Sequence, residues 1–214
     1  MKYTLLSVSV IFIILFGCMK SQIEDSLIER NNDNQYTVAT VVSTGGGHKK
    51  FAECVQNGLE KQFHHLKFIS EEKFRDTFYP WFEPDIAPDE ADELLAILNK
   101  AMVRNRIEAL GLELLIYVHG HTIQGEFDGS GGGHGGVAVG YMAAERETYI
   151  GTSLWDPKEA ELLGDTDVTV KGKIHMPIVG IPILIPALTE SSACSETVKR
   201  ISTCLKGKNL NKEK

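Results

Sequence analysis

The fold of this chain is decided by the stretch Leu110–Asp156, which reads LGLELLIYVHGHTIQGEFDGSGGGHGGVAVGYMAAERETYIGTSLWD. Gly111 predicts a helix end, because glycine takes the positive φ found just past a helix C-terminus. The apolar run Leu114–Val118 predicts a fully buried strand. Two further strands are predicted at 137–143 and 147–155, so the stretch forms the centre of a sheet.

The connections within this stretch are predicted to be irregular. A turn is expected near Ala144–Glu147, between the second and third strands. Gln124–Gly136 is dominated by glycine, and each glycine adds conformational freedom that an ordered structure must remove. We therefore predict a mobile surface loop there.

The first 17 residues have the pattern of a bacterial signal peptide. Lys2 provides the positive start, and Leu5–Phe16 is an apolar run too short to span a bilayer as a helix. The run ends in Leu15-Phe16-Gly17-Cys18, which resembles the lipobox of bacterial lipoproteins. The resemblance implies that Cys18 becomes the first residue of the mature chain and carries diacylglycerol, usually with an amide-linked acyl chain such as palmitate. The alternatives are an ordinary secretory signal and an uncleaved anchor.

The sequence then divides into a flexible tether at 18–35, a globular domain at 36–207 and a disordered tail at 208–214. The tether is predicted from its polar and charged composition. Met19 rather than aspartate follows Cys18. By analogy with the usual sorting rule for lipoproteins, this predicts the outer membrane of the cell envelope, with the domain facing the periplasm.

The net charge of the chain limits the kinds of partner that it is expected to bind. The chain has a formal net charge of −7, whereas a nucleic-acid-binding protein should show a basic face. The acidic balance therefore argues against nucleic acid as a partner, and it also offers no basic patch to hold an anionic membrane. Contact with the membrane is predicted to come through the N-terminal lipid.

The four cysteines suggest a disulfide, because an exported chain meets an oxidising compartment. We predict the pair Cys54–Cys194, since both residues fall on helices expected to pack against the sheet. Cys54 with Cys204 is the alternative. Cys194 and Cys204 cannot pair with each other, because ten residues on one helix separate them by roughly 15 Å.

Around the central stretch, hydrophobic periodicity predicts alternating strands and helices. Strands are predicted at 36–43, 66–69 and 168–174, and helices at 49–62, 71–77, 88–110 and 190–205. The order β-α-β-α-α-β-β-β-β-α predicts a single α/β (α+β) domain, with a mixed sheet and helices mainly on one face. The apolar segment 176–188 contains three prolines, so it is not a membrane helix.

This order resembles the periplasmic fold shared by the N-terminal domain of the Tol-system propeller protein, the curli-secretion lipoproteins and the lipoprotein activators of penicillin-binding proteins. The matching pieces are Ala109-Leu110-Gly111, Leu114–Val118, the strands within Val137–Asp156, and the helix Ser191–Leu205. The chain is most similar to uncharacterised bacterial envelope lipoproteins with a comparable proline-rich segment before the last helix. The resemblance implies a fold, and a fold does not carry a function.

Three histidines form the first candidate site. His119 and His121 lie two apart at the end of the central strand, so both imidazoles point to one face. His134 lies in the glycine-rich segment and could supply a third ligand, as a catalytic zinc requires. The hypothesis is a zinc-dependent hydrolase; the alternative is that the histidines are partly exposed side chains at a strand end and no cofactor is bound.

A second candidate site is the turn Gly45–Lys50, which follows a strand and opens a helix. Backbone N–H groups at a helix N-terminus can bind an anion, so Gly46, Gly47, His48 and Lys49 are the candidate ligands. Lys49 and Lys50 oppose the helix dipole, and a bound phosphate or carboxylate would account for them. The alternative is a flexible turn with solvated lysines.

Aromatic residues cluster at Phe78–Phe82. They predict either an exposed recognition patch or a segment that folds back to close a core between helices.

The sequence as a whole predicts a lipid-anchored envelope protein that binds or scaffolds an envelope protein partner and has no chemistry of its own. No nucleophile–base set and no complete metal motif is assembled in the sequence. The metal-dependent hydrolase at His119, His121 and His134, and an anion or small-ligand module at Gly45–Lys50, are the alternatives.

Overall fold

The structure, a computed structural model, describes residues 35–43, 49–83, 85–134, 137–179 and 181–206. The predicted signal peptide, Cys18, the tether as far as residue 34 and the C-terminal tail lie outside these ranges. So do Gly46, Gly47 and His48 of the predicted anion site.

Within the described residues, seven strands form one mixed sheet in the order β2-β1-β3-β5-β6-β7, with β4 paired to β5 beyond the end of β3. The β1–β2 and β1–β3 pairs are parallel, and the others are antiparallel. The strands are β1 Tyr36–Val42, β2 Leu66–Phe68, β3 Leu114–Gln124, β4 Asp128–His134, β5 Val137–Asp156, β6 Glu161–Val179 and β7 Ile181–Pro182. This mixed sheet confirms the predicted α/β (α+β) class.

In the part of the chain that the structure describes, five helices cover both faces of the sheet, and the prediction that they lie mainly on one face is therefore wrong. They are α1 Lys49–Gln62, α2 Glu71–Phe78, α3 Ala91–Leu98, α4 Ala101–Leu110 and α5 Thr189–Lys206. The first core lies under α1 and α5, where Val55, Leu59, Val198 and Ile201 pack on alternate residues of β1, β3 and β5.

The second core lies on the opposite face, under α2, α3 and α4. Phe74, Phe78 and Phe82 form one cluster there, with ring centroids 4.5–5.9 Å apart. Both phenylalanines of the Phe78–Phe82 segment are buried. The segment therefore closes a core between helices, which is the second of the two alternatives predicted from the sequence. Among the aromatic residues of the segment, Tyr79 is the exposed one.

The turn predicted near Ala144–Glu147 is wrong, because β5 runs unbroken through it. Ala144 is buried, and its charged neighbours pair across to β6: Glu147 with Lys171 at 3.1 Å and Glu145 with Lys173 at 4.0 Å. Opposite charges on facing strand residues stabilise the pairing. A segment with three charged residues, which resembles a turn in isolation, is thus the middle of a long strand.

The loop predicted at 124–136 is also wrong for most of its length. Asp128–His134 forms β4, which pairs in antiparallel register with 137–143 of β5. Glycine is unfavourable in an isolated strand, but the ladder to β5 supplies hydrogen bonds that the local sequence does not show.

The helix predicted at 88–110 is two helices. α3 ends at Leu98, and Lys100 takes an extended conformation before α4 begins. The Asn99 side chain donates to the carbonyl of Leu95 and so satisfies one of the last acceptors of α3. The predicted end at Gly111 is confirmed by its φ of 65°.

Cys54 of α1 and Cys194 of α5 form a disulfide, with Cα atoms 6.3 Å apart. This is the favoured pair of the sequence analysis. It joins the two helices of the first core.

Candidate functional site

A cavity of about 600 Å³ opens at the C-terminal end of β1. It lies between α1 on one side of the sheet and α2 on the other. Its walls combine buried apolar side chains with charged groups at the rim, and they comprise Thr40–Ser43, Lys49, Ala52, Glu53, Gln56, Asn57, Glu71, Phe74, Arg75, Phe82, Asp85 and Ala87. A pocket of this size and composition is typical of a ligand site.

Lys49, one of the predicted anion ligands, lines this cavity, but its positive charge is balanced by the carboxylate of Glu71. Its Nζ lies 2.9 Å from Glu71 Oε2 at the start of α2. The hydrogen bond and the charge of Glu71 raise the pKa of Lys49. The apparent conflict between Lys49 and the α1 dipole is thus met by a carboxylate of the chain, and a bound anion is not required to explain it.

Lys50 is paired in the same way with Glu190 of α5, at 3.1 Å. Glu190 also accepts from Arg146 at 2.6 Å and from Thr122 at 3.2 Å. Burial alone would raise the pKa of Glu190, but its bonds to Lys50, Thr122 and Arg146 lower it below the ordinary value. Glu190 therefore ties α1, β3 and β5 to the first turn of α5.

His119 and His121 share one face of β3, as predicted, and Tyr149 of β5 lies against both. The ring centroid of Tyr149 lies 5.6 Å from the ring centroid of His119 and 5.4 Å from that of His121. Tyr149 donates its hydroxyl hydrogen to Asp167 of β6 at 2.8 Å. The remaining contact, His119 Nε2 to Tyr149 Oη at 3.2 Å, is then made by the Nε2–H tautomer of His119.

Gly151 makes room for this histidine. A Cβ atom at Gly151 would overlap the His119 imidazole and would lie 2.7 Å from the Tyr149 hydroxyl. The His119 imidazole therefore packs against the backbone of β5 at Gly151, and its Nδ1 is buried without a hydrogen-bond partner. A chain of three polar groups, His119–Tyr149–Asp167, results.

The predicted three-histidine metal site does not form. His134 pairs with Val137 at one end of β5, whereas His121 pairs with Tyr149, twelve residues further along the same strand. At about 3.3 Å per strand residue this is roughly 40 Å, far beyond the reach of one ion. Within the described ranges, no group of three metal-ligating side chains comes together.

Burial lowers the pKa of His119, although the charge of Asp167 acts in the opposite direction. An unfolded histidine titrates near pH 6.5, so below that pH the unfolded chain binds a proton that folded His119 does not. Stability is therefore lost as the pH falls through about 6.5 toward the lower folded pKa. We expect the melting temperature of His119→Gln to fall less between pH 7.5 and pH 5.5 than that of the native protein.

Thermal melts at several pH values measure this difference. The exposed His64 provides the matched control, because His64→Gln leaves His119 in place and should keep the native pH profile. Identical profiles for His119→Gln and the native protein would show that this histidine does not couple to folding.

The far end of the β5–β6 hairpin forms an extension that we call the arm, made of β4, residues 137–143, residues 175–179 and residues 181–185. Ile183 donates to the carbonyl of Pro177, and Ile185 pairs with His175, so the segment after β6 folds back along it. In this register the odd-numbered residues of β5, β6 and the returning segment share one face.

The odd-numbered face of the arm is apolar and open. Val179 is 69% exposed and Ile181 is 72% exposed. Other exposed members are Val139, Tyr141, Ile183 and Ile185. Sequence reasoning missed this surface. The alternation of isoleucine in Ile181, Ile183 and Ile185 signals it, but the prolines of the segment obscured the strand pattern.

No family model and no curated protein matches this sequence. Among solved structures, the chain is similar to the lipoprotein GNA1162 from Neisseria meningitidis, with a TM-score of 0.37 and 9% identity over 78% of this chain and 99% of that chain. The LpoB C-terminal domain from Escherichia coli gives 0.36 and 9% over 68% and 90%. A neuraminyllactose-binding hemagglutinin homolog from Helicobacter pylori gives 0.36 and 10% over 85% and 88%. At TM-scores below 0.5 these likenesses carry no argument about function.

None of the helices in the described part of the chain is both long and apolar enough to cross a membrane.

Proposed function

We propose that this protein is a lipid-anchored accessory component of the bacterial cell envelope, and that it binds or scaffolds another envelope protein through the apolar face of its arm. The observation that carries the proposal is the row of exposed apolar side chains on one face of the arm. Contiguous exposed apolar surface of this kind marks interaction sites in soluble domains.

The shape of the arm supports a role in binding rather than catalysis. The odd-numbered residues of β5, β6 and the returning segment present isoleucine, valine and tyrosine side chains, and His175 lies among them. Tyr141 and His175 contact each other through the tyrosine hydroxyl and the imidazole Nδ1. Large apolar and aromatic side chains of this type are enriched in the buried centres of protein interfaces.

The arm is tested by placing a photo-crosslinking amino acid at Val179 in the full chain in living cells. A crosslink to one envelope protein is expected, and adding Ile181→Asn should abolish it because a buried amide without a partner is costly. Ile86 is the matched control, since it is 54% exposed but lies outside the arm. A Val179 probe that gives no more product than the Ile86 probe, or that captures only a second copy of this chain, refutes the proposal.

The anchor is a separate element of the proposal and rests on Cys18, outside the described residues. One acyl chain binds a membrane only marginally, whereas the several chains of a bacterial lipoprotein anchor it stably. We expect Cys18→Ser to block lipid incorporation and to remove the mature form from the outer-membrane fraction. Metabolic labelling with a fatty acid and membrane fractionation measure both. If the variant stays in the membrane and the native chain is never processed, the apolar segment 5–16 is an uncleaved anchor.

A further inference from the structure

The cavity at the end of β1 is bounded by an unpaired edge of the sheet. β2 pairs with β1 only as far as Phe68, which lies opposite Val38. Ile69 then donates its backbone N–H to the carbonyl of Val38 at 2.8 Å, and the chain turns away into α2. Past this point, no strand of the described chain lies beside β1 on the β2 side. The path that β2 would have followed is occupied by the cavity.

Thr40 and Val42 direct their backbone groups toward this open path. Successive strand residues point their N–H and C=O groups to alternate edges. Val38 accepts its bond from the β2 side, whereas the N–H of Ser43 reaches β3 at Val118, 3.2 Å away. The even-numbered residues of β1 therefore point their backbone N–H and C=O groups toward the cavity. Thr40 and Val42 together present two backbone donors and two backbone acceptors. An unpaired edge of this kind is a template for a further strand.

A buried hydroxyl oxygen on the half-buried Thr40 adds to this set. Thr40 Oγ1 is buried and has no hydrogen-bond partner, and Thr40 lines the cavity. Buried polar atoms are paired in the great majority of cases, so an unpaired one calls for an explanation. The neighbouring walls are buried and apolar, and they consist of Val41, Ala52, Phe74, Phe82 and Ala87.

The rim of the cavity carries an excess of negative charge. Glu71 pairs with Lys49 at 2.9 Å and with Arg75 at 3.7 Å. Glu53 of α1 and Asp85 of the opposite wall are further acids at the rim. Two cations thus face three carboxylates, which favours a positively charged ligand over an anion.

We propose that this cavity binds a short extended peptide segment, which adds to the sheet as a strand beside Thr40–Val42 and places a lysine, an arginine or its amino terminus at Glu53 and Asp85. The edge supplies main-chain hydrogen bonds, the apolar walls receive small side chains, and the rim selects positive charge. Strand addition to an open sheet edge is an established mode of peptide recognition. This site is distinct from the arm, and it stands whether or not the arm binds a partner.

The test uses the full-length protein in detergent and a synthetic library of random hexapeptides with free amino termini. The strongest binder is resynthesised in two N-methylated forms, one methylated at the odd-numbered peptide nitrogens and the other at the even-numbered ones. In an added strand only one of these sets faces β1. We expect one form to lose about tenfold or more in affinity, the effect of one or two hydrogen bonds, and the other form to bind like the parent peptide.

Variants of the protein test the same contacts from the other side. Val42→Pro removes an N–H that faces the open edge, a position where a strand tolerates proline, and should weaken binding by about tenfold. The pair Glu53→Gln and Asp85→Asn should weaken it several-fold, whereas Glu126→Gln, an exposed acid outside the cavity, should not. Thermal melts show whether each variant is folded, and the peptide-based comparison needs no variant at all.

Three results would overturn the proposal. The first is a library that contains no binder. The second is equal affinity for the two N-methylated forms, which indicates a site that reads side chains alone. The third is free lysine binding as tightly as the selected hexapeptide, which indicates a small-molecule pocket.

Discussion

Removal of the Cys54–Cys194 disulfide is expected to lower the free energy of unfolding by about 5 kcal/mol. The two cysteines are 140 residues apart in sequence, so the bond closes a loop that spans most of the domain. A crosslink acts mainly by restricting the unfolded chain, and in the chain-entropy treatment its effect grows with the logarithm of the loop length. A loss of this size is comparable to the whole stability of many single domains.

The measurement is guanidinium denaturation of the native protein and of the double variant Cys54→Ala, Cys194→Ala. The free energy of unfolding and its slope against denaturant concentration together distinguish loss of the crosslink from loss of side-chain packing. Loss of the crosslink expands the unfolded state and should raise the dependence of the unfolding free energy on denaturant, whereas loss of side-chain packing around Cys194 leaves that slope unchanged. A change below about 1 kcal/mol with an unaltered slope would show that the bond does not support this fold.

The second large effect is expected for Gly120→Ala, which should destabilise the domain by about 3 kcal/mol. Gly120 lies opposite Ile150 in the central β3–β5 ladder. A Cβ atom there would overlap the carbonyl oxygen of Tyr149, and it would lie 3.3 Å from the Phe51 ring of α1. Backbone cannot move aside as a flexible side chain can, so β3 and β5 must move apart at this point of the ladder.

Gly164→Ala is the matched control for this substitution. Gly164 also lies in a strand, β6, but nothing would come within 4 Å of an added Cβ atom. There the substitution should be neutral or slightly stabilising, because alanine reduces the freedom of the unfolded chain. Urea denaturation of both variants gives the two free energies, and similar values would refute the steric explanation.

In the candidate sites, separation along the sequence does not determine which residues lie close together in space. The pairing of His119 and His121 on one face follows from the two-residue period of a strand, and the sequence predicted it. The exclusion of His134 depends on the register of β4 along β5. Two segments close in sequence lie at opposite ends of a long strand, and only the hydrogen-bonded register places them.

The cavity beside β1 could not be predicted either. Its turn was noticed because Lys49 and Lys50 oppose the helix dipole, yet the carboxylates that balance them come from α2 and from α5, the latter 140 residues away. The open edge of β1 arises because β2 is only three residues long, and a pattern of apolar residues does not determine where a neighbouring strand stops. Likewise, the sequence does not distinguish Tyr149 and Asp167 from other strand residues. The pairing of the strands places them beside His119.

The sequence by itself determined the features whose causes are local. Gly111 ends α4 because it takes a positive φ, and the apolar run Leu114–Val118 is buried on both faces. The tertiary structure alone decided the course of β5, the existence of β4 and the apolar face of the arm. A helix satisfies its hydrogen bonds within itself, whereas a strand depends on partners that lie elsewhere in the chain.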